Sequence, residues 1–378
     1  MNTWLTQADQ QWLDGTYQRL TAKISAECDR VGGSVVYIPT DGHYIDLKTP
    51  TGLYWWCNGF WPGMLWLTYH ATGDEKFRQA AETIEKRLDD AIAGYEGLHH
   101  DVGFMWTLSA LADYRLTGNK ESRKRALHAA NLLAGRYNPR VKFLRAWNMD
   151  RAGWTIADTM MNLPLLYWAA DEIGDPRFSF IAKDHADTCS RVTVREDGSS
   201  YHISIMDPNN GEILERRGGQ GFAEESSWSR GQSWIVYGYA LSYLHTKDKR
   251  YLDIAKQAAH YFISNLAVND WLPLCDFRAP AEPLLYDSTA GAIAACGFLE
   301  IAEHVDEYEK PLYRTAALKV LKAMEEHFCN WDNSVDGILG YGSKAYHDET
   351  ERHVSIIYGD YFFTEAIMRL KDKGFPIW

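Results

Sequence analysis

No stretch of this 378-residue chain is long and uncharged enough to span a bilayer, which argues against a membrane-crossing helix. The start, Met1-Asn2-Thr3-Trp4, has neither the basic residues nor the continuous apolar run of an export signal, so a cytoplasmic protein is expected. There is no run of Lys or Arg, and 51 acidic against 39 basic residues give a formal net charge of −12. Nucleic acid and anionic membranes are therefore poor partners, and an anionic substrate needs a local basic cluster to hold it. Cysteine is scarce. Cys28, Cys57, Cys189, Cys275, Cys296 and Cys329 are scattered with no CxxC spacing, and a chain of this length folds without disulfides. Reduced thiols and no zinc site follow as expectations. Composition shifts and linkers are absent too, so residues 1–378 read as one domain.

What is present is one pattern, met six times: an aromatic-rich apolar segment, a very short polar break, and a charged amphipathic segment. The apolar segments are Gly59–Ala71, Gly103–Leu116, Met160–Ile173, Gly231–His245, Ser288–His304 and Ser355–Leu370. Their charged counterparts run through Ala8–Val31, Glu75–Ala91, Lys120–Tyr137, Pro176–Val194, Lys249–Leu266 and Lys310–Phe328. The breaks recur as Thr72-Gly73-Asp74, Thr117-Gly118-Asn119, Ile173-Gly174-Asp175 and Thr246-Lys247-Asp248, where glycine stops one helix and Asp or Asn caps the next. Such short breaks allow only a tight antiparallel return. Helices apolar nearly all round must be surrounded, so twelve helices in six hairpins predict an all-α, closed (α/α)6 toroid with an inner and an outer ring. An open helical-repeat solenoid for binding is the plainer alternative. The connections entering the inner helices are long and rich in Trp, His, Asp, Arg and Gly, which marks one end of the toroid as functional.

Fifteen Trp and twenty-two Tyr exceed what packing needs, and flat side chains with polar tips suit the faces of sugar rings. Within the loops, His99-His100-Asp101 stands where an inner helix begins, and helix amides there help keep Asp101 ionised, although a plain N-cap reads equally well. Adjacent histidines point in different directions, which argues against a two-histidine metal site. Asp158 is flanked by apolar and aromatic residues, an environment that raises a carboxyl pKa and suits it to acid–base work, although a helix cap again reads equally well. Between residues 195 and 232 lie Ser199-Ser200-Tyr201-His202, Gly218-Gly219-Gln220-Gly221 and Trp228-Ser229-Arg230-Gly231-Gln232-Ser233-Trp234. Trp228 and Trp234 offer stacking faces, His202 is a ligand contact or a structural histidine, and Arg230 is the natural partner for a carboxylate. The double glycine has no preceding strand and no GxGxxG spacing, so it is not a nucleotide loop. Lys344, in Gly342-Ser343-Lys344-Ala345-Tyr346-His347, reads equally as a solvated residue or an anion contact.

These segments, in this order, resemble glycoside hydrolase family 88, the unsaturated glucuronyl hydrolases. The resemblance rests on Asn58-Gly59-Phe60-Trp61, His99-His100-Asp101 with Gly103-Phe104, Asp158 with Asn162-Leu163-Pro164-Leu165, Ser199-Ser200-Tyr201-His202, Trp228-Ser229-Arg230-Gly231-Gln232 with Trp234, and Tyr358-Gly359-Asp360-Tyr361. It spans nearly the whole chain and itself implies the six-hairpin toroid. The substrate it implies is the 4,5-unsaturated uronate that polysaccharide lyases leave at a non-reducing end. Protonation at C4 of that enol ether makes an oxocarbenium-like centre at C5, water adds there, and the hemiketal opens so that the linkage falls apart. The usual reading of carboxylate separation as inversion or retention does not apply. By resemblance, Asp158 is the general acid and base, Asp101 supports it, Trp56 and Trp234 stack on sugar, and His202, Gln220, Trp228 and Arg230 line the site.

One departure concerns sulfate. Family members favouring sulfated disaccharides carry Ser-x-x-Ser-x-Lys near the C-terminus; here Ser343 matches the first serine only, leaving Lys344 and His347 as candidates for an anionic group. The implied partner is an unsaturated uronate-containing di- or oligosaccharide. The rivals are an unsaturated rhamnogalacturonyl hydrolase acting on pectin fragments, a toroidal lyase, which would create the double bond instead of removing it, and a sugar-binding module without turnover. No metal or organic cofactor is implied, because protonation and water addition need only carboxyl groups.

Overall fold

The computed structural model describes residues 4–49 and 51–378. The predicted hairpins are present. The outer helices are Gln7–Val31, Glu75–Gly94, Lys120–Ala134, Pro176–Val192, Lys249–Ala267 and Lys310–Phe328. The inner ones are Phe60–Thr72, Val102–Thr117, Ala157–Ile173, Ser229–Thr246, Ser288–His304 and Ile357–Leu370. Each break works as its residues dictate: Gly73, Gly118 and Gly174 end their helices in the left-handed region, and Asp74, Asn119 and Asp175 accept from the amides of Lys76, Glu121 and Arg177. At the fourth break Lys247 takes the left-handed conformation at φ 57°, and Asp248 caps the next helix.

Burial separates the two rings. Along Lys249–Ala267 only Tyr251, Leu252, Ala255, Ala258, Ala259, Phe262, Ile263 and Leu266 are buried, one stripe at helical spacing. Along Ser288–His304 every residue from Ser288 to Ala302 is buried. Truncating a stripe residue such as Phe262 to Ala would cost roughly 3–5 kcal/mol, transfer and cavity together. Ile357–Leu370 packs on Ser288–His304 on one side and on Phe60–Thr72 on the other, which closes the ring into an (α/α)6 barrel instead of an open solenoid.

Two inner helices differ from the uninterrupted ones predicted. Val102–Trp106 widens into a π turn over Thr107–Leu111 before resuming at Ala112–Thr117, and the Ser109 hydroxyl donates to the Met105 carbonyl (2.6 Å) within that turn. The third begins as a 3-10 turn, Ala157–Asn162, and becomes α-helical only at Pro164, whose missing N–H is harmless at a first helical position. Short strands also appear in the loops. Trp154–Ile156, Ile203–Met206 and Ile213–Arg217 form an antiparallel sheet with Ile203–Met206 central, pairing Ile156 with Ile203 and Ile203 with Arg217. The sheet ties the approach to Asp158 to the segment carrying His202, and the Ala157 amide donates to the His202 carbonyl (3.1 Å).

Candidate functional site

Long loops feed all six inner helices from the same end, so their first turns gather there. Trp56 precedes Phe60–Thr72, Asp101 stands before Val102, and Asp158 opens the third inner helix. Trp228 and Arg230 flank the start of the fourth, Asp287 caps the fifth, and Tyr358 opens the sixth. Cross-helix contacts make this one site: the Trp56 and Tyr358 rings lie 5.0 Å apart, Phe104 and Trp234 lie 5.2 Å apart, and Arg230 reaches Asp287.

Asn162 binds the two aspartates together. Its amide nitrogen donates to Asp101 Oδ1 (3.1 Å) and to the Asp158 carbonyl (3.3 Å), and its Oδ1 accepts from the Phe104 amide (2.7 Å). Gly103 permits this approach, because a Cβ there would lie 2.5 Å from Asn162 Oδ1. Asn162 was legible only as part of a motif, one helical turn after Asp158; no sequence signal marks it as the bridge.

The two carboxyls differ in protonation. Burial alone would raise Asp101, but His100 and His99 beside it and the Asn162 amide outweigh burial and lower it to about 2. His99 Nδ1 and His100 Nε2 both converge on Asp101 Oδ2, at 3.1 and 3.3 Å, which corrects the expectation that adjacent histidines diverge. The chain turns into its helix directly after them, and that turn brings both rings to one side. Asp158 is pushed the other way, to about 7, first by burial and then by the negative Asp101; Arg230 opposes this. The Trp234 indole nitrogen also lowers Asp158 slightly, without a full hydrogen bond.

Beside Asp158 stands His202, with Nε2 3.6 Å from Oδ2 and both atoms buried without a hydrogen-bond partner. Burial holds this imidazole neutral, lowering it to about 3. Its Nδ1 lies 3.1 Å from the Gln220 amide, which donates to it, and 3.2 Å from the Gly218 carbonyl, so the ring tautomer selects between the two. Gly219, at φ 61°, allows the loop to wrap this closely: a Cβ there would sit 2.3 Å from His202 Nδ1. The Trp228 ring backs the imidazole at 4.3 Å.

Four predicted contacts are placed differently. Arg230 is not free to clamp a carboxylate: it is fully buried, its Nη1 pairs with Asp287 (2.5 Å) and donates to the Ser343 carbonyl (2.8 Å), and its Nη2 donates to the Lys344 carbonyl (2.6 Å). Trp234 cannot stack on a sugar, since it is sealed between Phe104 and Phe362 in the barrel interior. The Ser343 hydroxyl is buried and donates to the Tyr286 carbonyl (2.7 Å). Lys344 Nζ is held by Glu351 (2.6 Å) and Asp348 (3.5 Å), while its carbonyl also accepts from Gln220 Nε2 (2.6 Å). Trp56 is half-buried and keeps part of its surface open. Asp287 escaped notice because in sequence it is an ordinary cap of Ser288–His304, a job it also does.

A cavity of about 750 Å³ lies at the opposite end, lined by Leu244, Glu300, His304, Arg369 and Trp378 among others, and contains neither aspartate. No helix among the described residues is long and apolar enough to cross a membrane.

Comparison with known proteins gives the family of the chain. A family model described as Glycosyl Hydrolase Family 88 matches residues 28–375. The unsaturated glucuronyl hydrolase of Bacillus sp. (strain GL1) is 36% identical over 332 residues, which cover 85% of this chain and 88% of the relative. The unsaturated chondroitin disaccharide hydrolase of Streptococcus pneumoniae is 34% identical over 324 residues, 83% of this chain and 81% of that one. Among solved structures, a mutant of the Streptococcus agalactiae unsaturated glucuronyl hydrolase complexed with dGlcA-GalNAc6S superposes with a TM-score of 0.84 at 27% identity, covering 97% of this chain and 93% of the other.

Proposed function

The chain belongs to glycosyl hydrolase family 88, and from that premise we propose that it releases 4,5-unsaturated uronic acid from the non-reducing end of lyase-generated, glycosaminoglycan-type oligosaccharides by adding water across C4=C5. The observation that carries the reading is the pair of buried carboxyls tied through Asn162 and held in opposite protonation states. Asp158, carrying a proton near neutrality, gives it to C4. The cationic centre that forms at C5 and the ring oxygen is met by the fixed negative charge of Asp101. Asp158, now a carboxylate, takes a proton from the water that adds at C5 and is ready for the next cycle. The hemiketal then opens and the neighbouring sugar leaves.

His202 sits where it can share a proton with Asp158 Oδ2, and its neutral state keeps it from competing electrostatically with the nascent cation. With Arg230 committed to Asp287, the uronate carboxylate is held instead by the converging N-termini of the inner helices, whose partial positive charge favours an anion. Trp56 is the aromatic surface left for the sugar face. The closed ring of helices and the family match over residues 28–375 support one catalytic domain, and six free cysteines, five of them buried, support a cytoplasmic location.

The test is ultraviolet absorbance of the conjugated uronate double bond on incubation with unsaturated chondroitin disaccharide. Absorbance should fall with wild type and stay constant with Asp158→Asn. A rise on intact polysaccharide would mean a lyase instead, and no change on any unsaturated disaccharide would refute the reading.

A further inference from the structure

We propose that His99, His100 and Asp101 form a chelating site for a divalent transition ion of the zinc type, and that a bound ion switches the enzyme off. The inhibition half rests on the role given to Asp101 above; the binding half does not. The three candidate ligand atoms lie within 4.8 Å of one another. Each histidine nitrogen is within reach of Asp101 Oδ2, at 3.1 Å for His99 Nδ1 and 3.3 Å for His100 Nε2. Yet neither nitrogen makes a well-directed hydrogen bond at that distance, and His100 is fully buried. Two buried nitrogens that crowd one carboxylate oxygen with poor hydrogen-bond direction form an unfinished arrangement.

A tetrahedral ion would complete it. Metal–ligand bonds of about 2.0–2.1 Å put neighbouring ligand atoms about 3.3 Å apart, close to the two separations found here. Two imidazoles and one carboxylate are a donor set suited to zinc and its first-row neighbours, not to calcium or magnesium. Supporting groups are also in place: Thr159 Oγ1 lies 2.9 Å from His100 Nδ1, and Asn162 donates to the other oxygen of Asp101 at 3.1 Å. With the proton on His100 Nδ1, donated in a hydrogen bond to Thr159 Oγ1, Nε2 presents a lone pair toward Asp101, the tautomer a metal ligand requires. An ion there would occupy Asp101 Oδ2 and neutralise the charge that Asp101 sets against the cationic centre, so the loaded enzyme loses transition-state stabilisation.

The experiment uses the full chain, stripped with chelator and titrated with Co²⁺ as a visible-spectrum stand-in for zinc. One equivalent should produce tetrahedral ligand-field bands that Zn²⁺ abolishes, and His99→Gln and Asp101→Asn should each weaken binding at least about tenfold while circular dichroism stays that of wild type. An anomalous difference map of zinc-soaked wild type should place the ion between the three side chains, which keeps the test decisive if a variant misfolds. Absence of bands, binding unaffected by both substitutions, or an ion located elsewhere would overturn the site. Zinc should also lower kcat for the unsaturated disaccharide at least about tenfold, reversed by EDTA; zinc bound at the site with kcat unchanged would overturn the switch. Metal-free enzyme that turns over substrate but binds no Co²⁺ defeats only this proposal; enzyme that binds Co²⁺ but never turns over defeats the functional reading.

Discussion

Replacing Asp158 by Asn should abolish turnover and, above neutrality, make the protein more stable. Burial and Asp101 raise this carboxyl from 3.8 to about 7. Between those values the folded chain holds a proton that the unfolded chain has released, so wild-type stability falls as pH rises through the window and stays low above it. A shift of about three units at about 1.4 kcal/mol each corresponds to about 4 kcal/mol in full, of which about 3 is lost between about pH 5 and about pH 8.5. Asn fills the same space without ionising and escapes that loss. With an unfolding entropy of about 2.1 cal/mol/K per residue, the 378 residues convert 3 kcal/mol into roughly 3 to 4 °C of Tm. Melting curves of both proteins at the two pH values, paired with the absorbance assay, test both halves. Wild-type and variant Tm values that move in parallel with pH would refute the raised carboxyl, and an active variant would refute its role as the acid.

Four further outcomes follow from the same geometry. Because Asp158 must start protonated, kcat/KM should fall about tenfold per unit as pH rises past about 7, while Asp101, ionised down to about 2, adds no acid limb in the range where the protein is assayed; a flat or alkaline-peaked profile contradicts this. Arg230→Ala strands Asp287 as an unpaired buried charge and should cost about 3–5 kcal/mol, read as a lower Tm or loss of soluble protein; a pure KM effect at unchanged Tm would return Arg230 to the substrate. Gly103→Ala drives a methyl into Asn162 and should lower kcat roughly tenfold or more by displacing the bridge between the aspartates, so a variant with wild-type kcat argues that the bridge is idle. Lys344→Ala should leave the ratio of kcat/KM for sulfated and unsulfated disaccharides within about twofold, since Glu351 and Asp348 already engage the ammonium and such a half-exposed pair is worth about 0–1 kcal/mol; a selective loss on the sulfated substrate would contradict that.

The helix plan was written locally and could be read locally. A Gly that ends a helix and an Asp or Asn that caps the next act within about four residues, so Thr72-Gly73-Asp74 means the same in any context. The alternation of all-round apolar and one-stripe helices carried the two rings for a similar reason, since burial follows side-chain chemistry along each element. Asp101 and Asp158 could likewise be placed at helix mouths by counting. Tertiary structure decided what no local rule reaches. The ring closes because Ile357–Leu370 meets Phe60–Thr72 from the far end of the chain. Arg230 is a buried ion pair and not a carboxylate clamp because Asp287, 57 residues on, arrives at its guanidinium. Trp234 is interior because Phe104 and Phe362 cover it. The split between an ionised Asp101 and a protonated Asp158 depends on His99, His100 and Asn162 converging on one carboxylate while burial isolates the other. Electrostatics in a low-dielectric interior is set by distances of a few ångströms between groups far apart in sequence, and only the folded chain defines those distances.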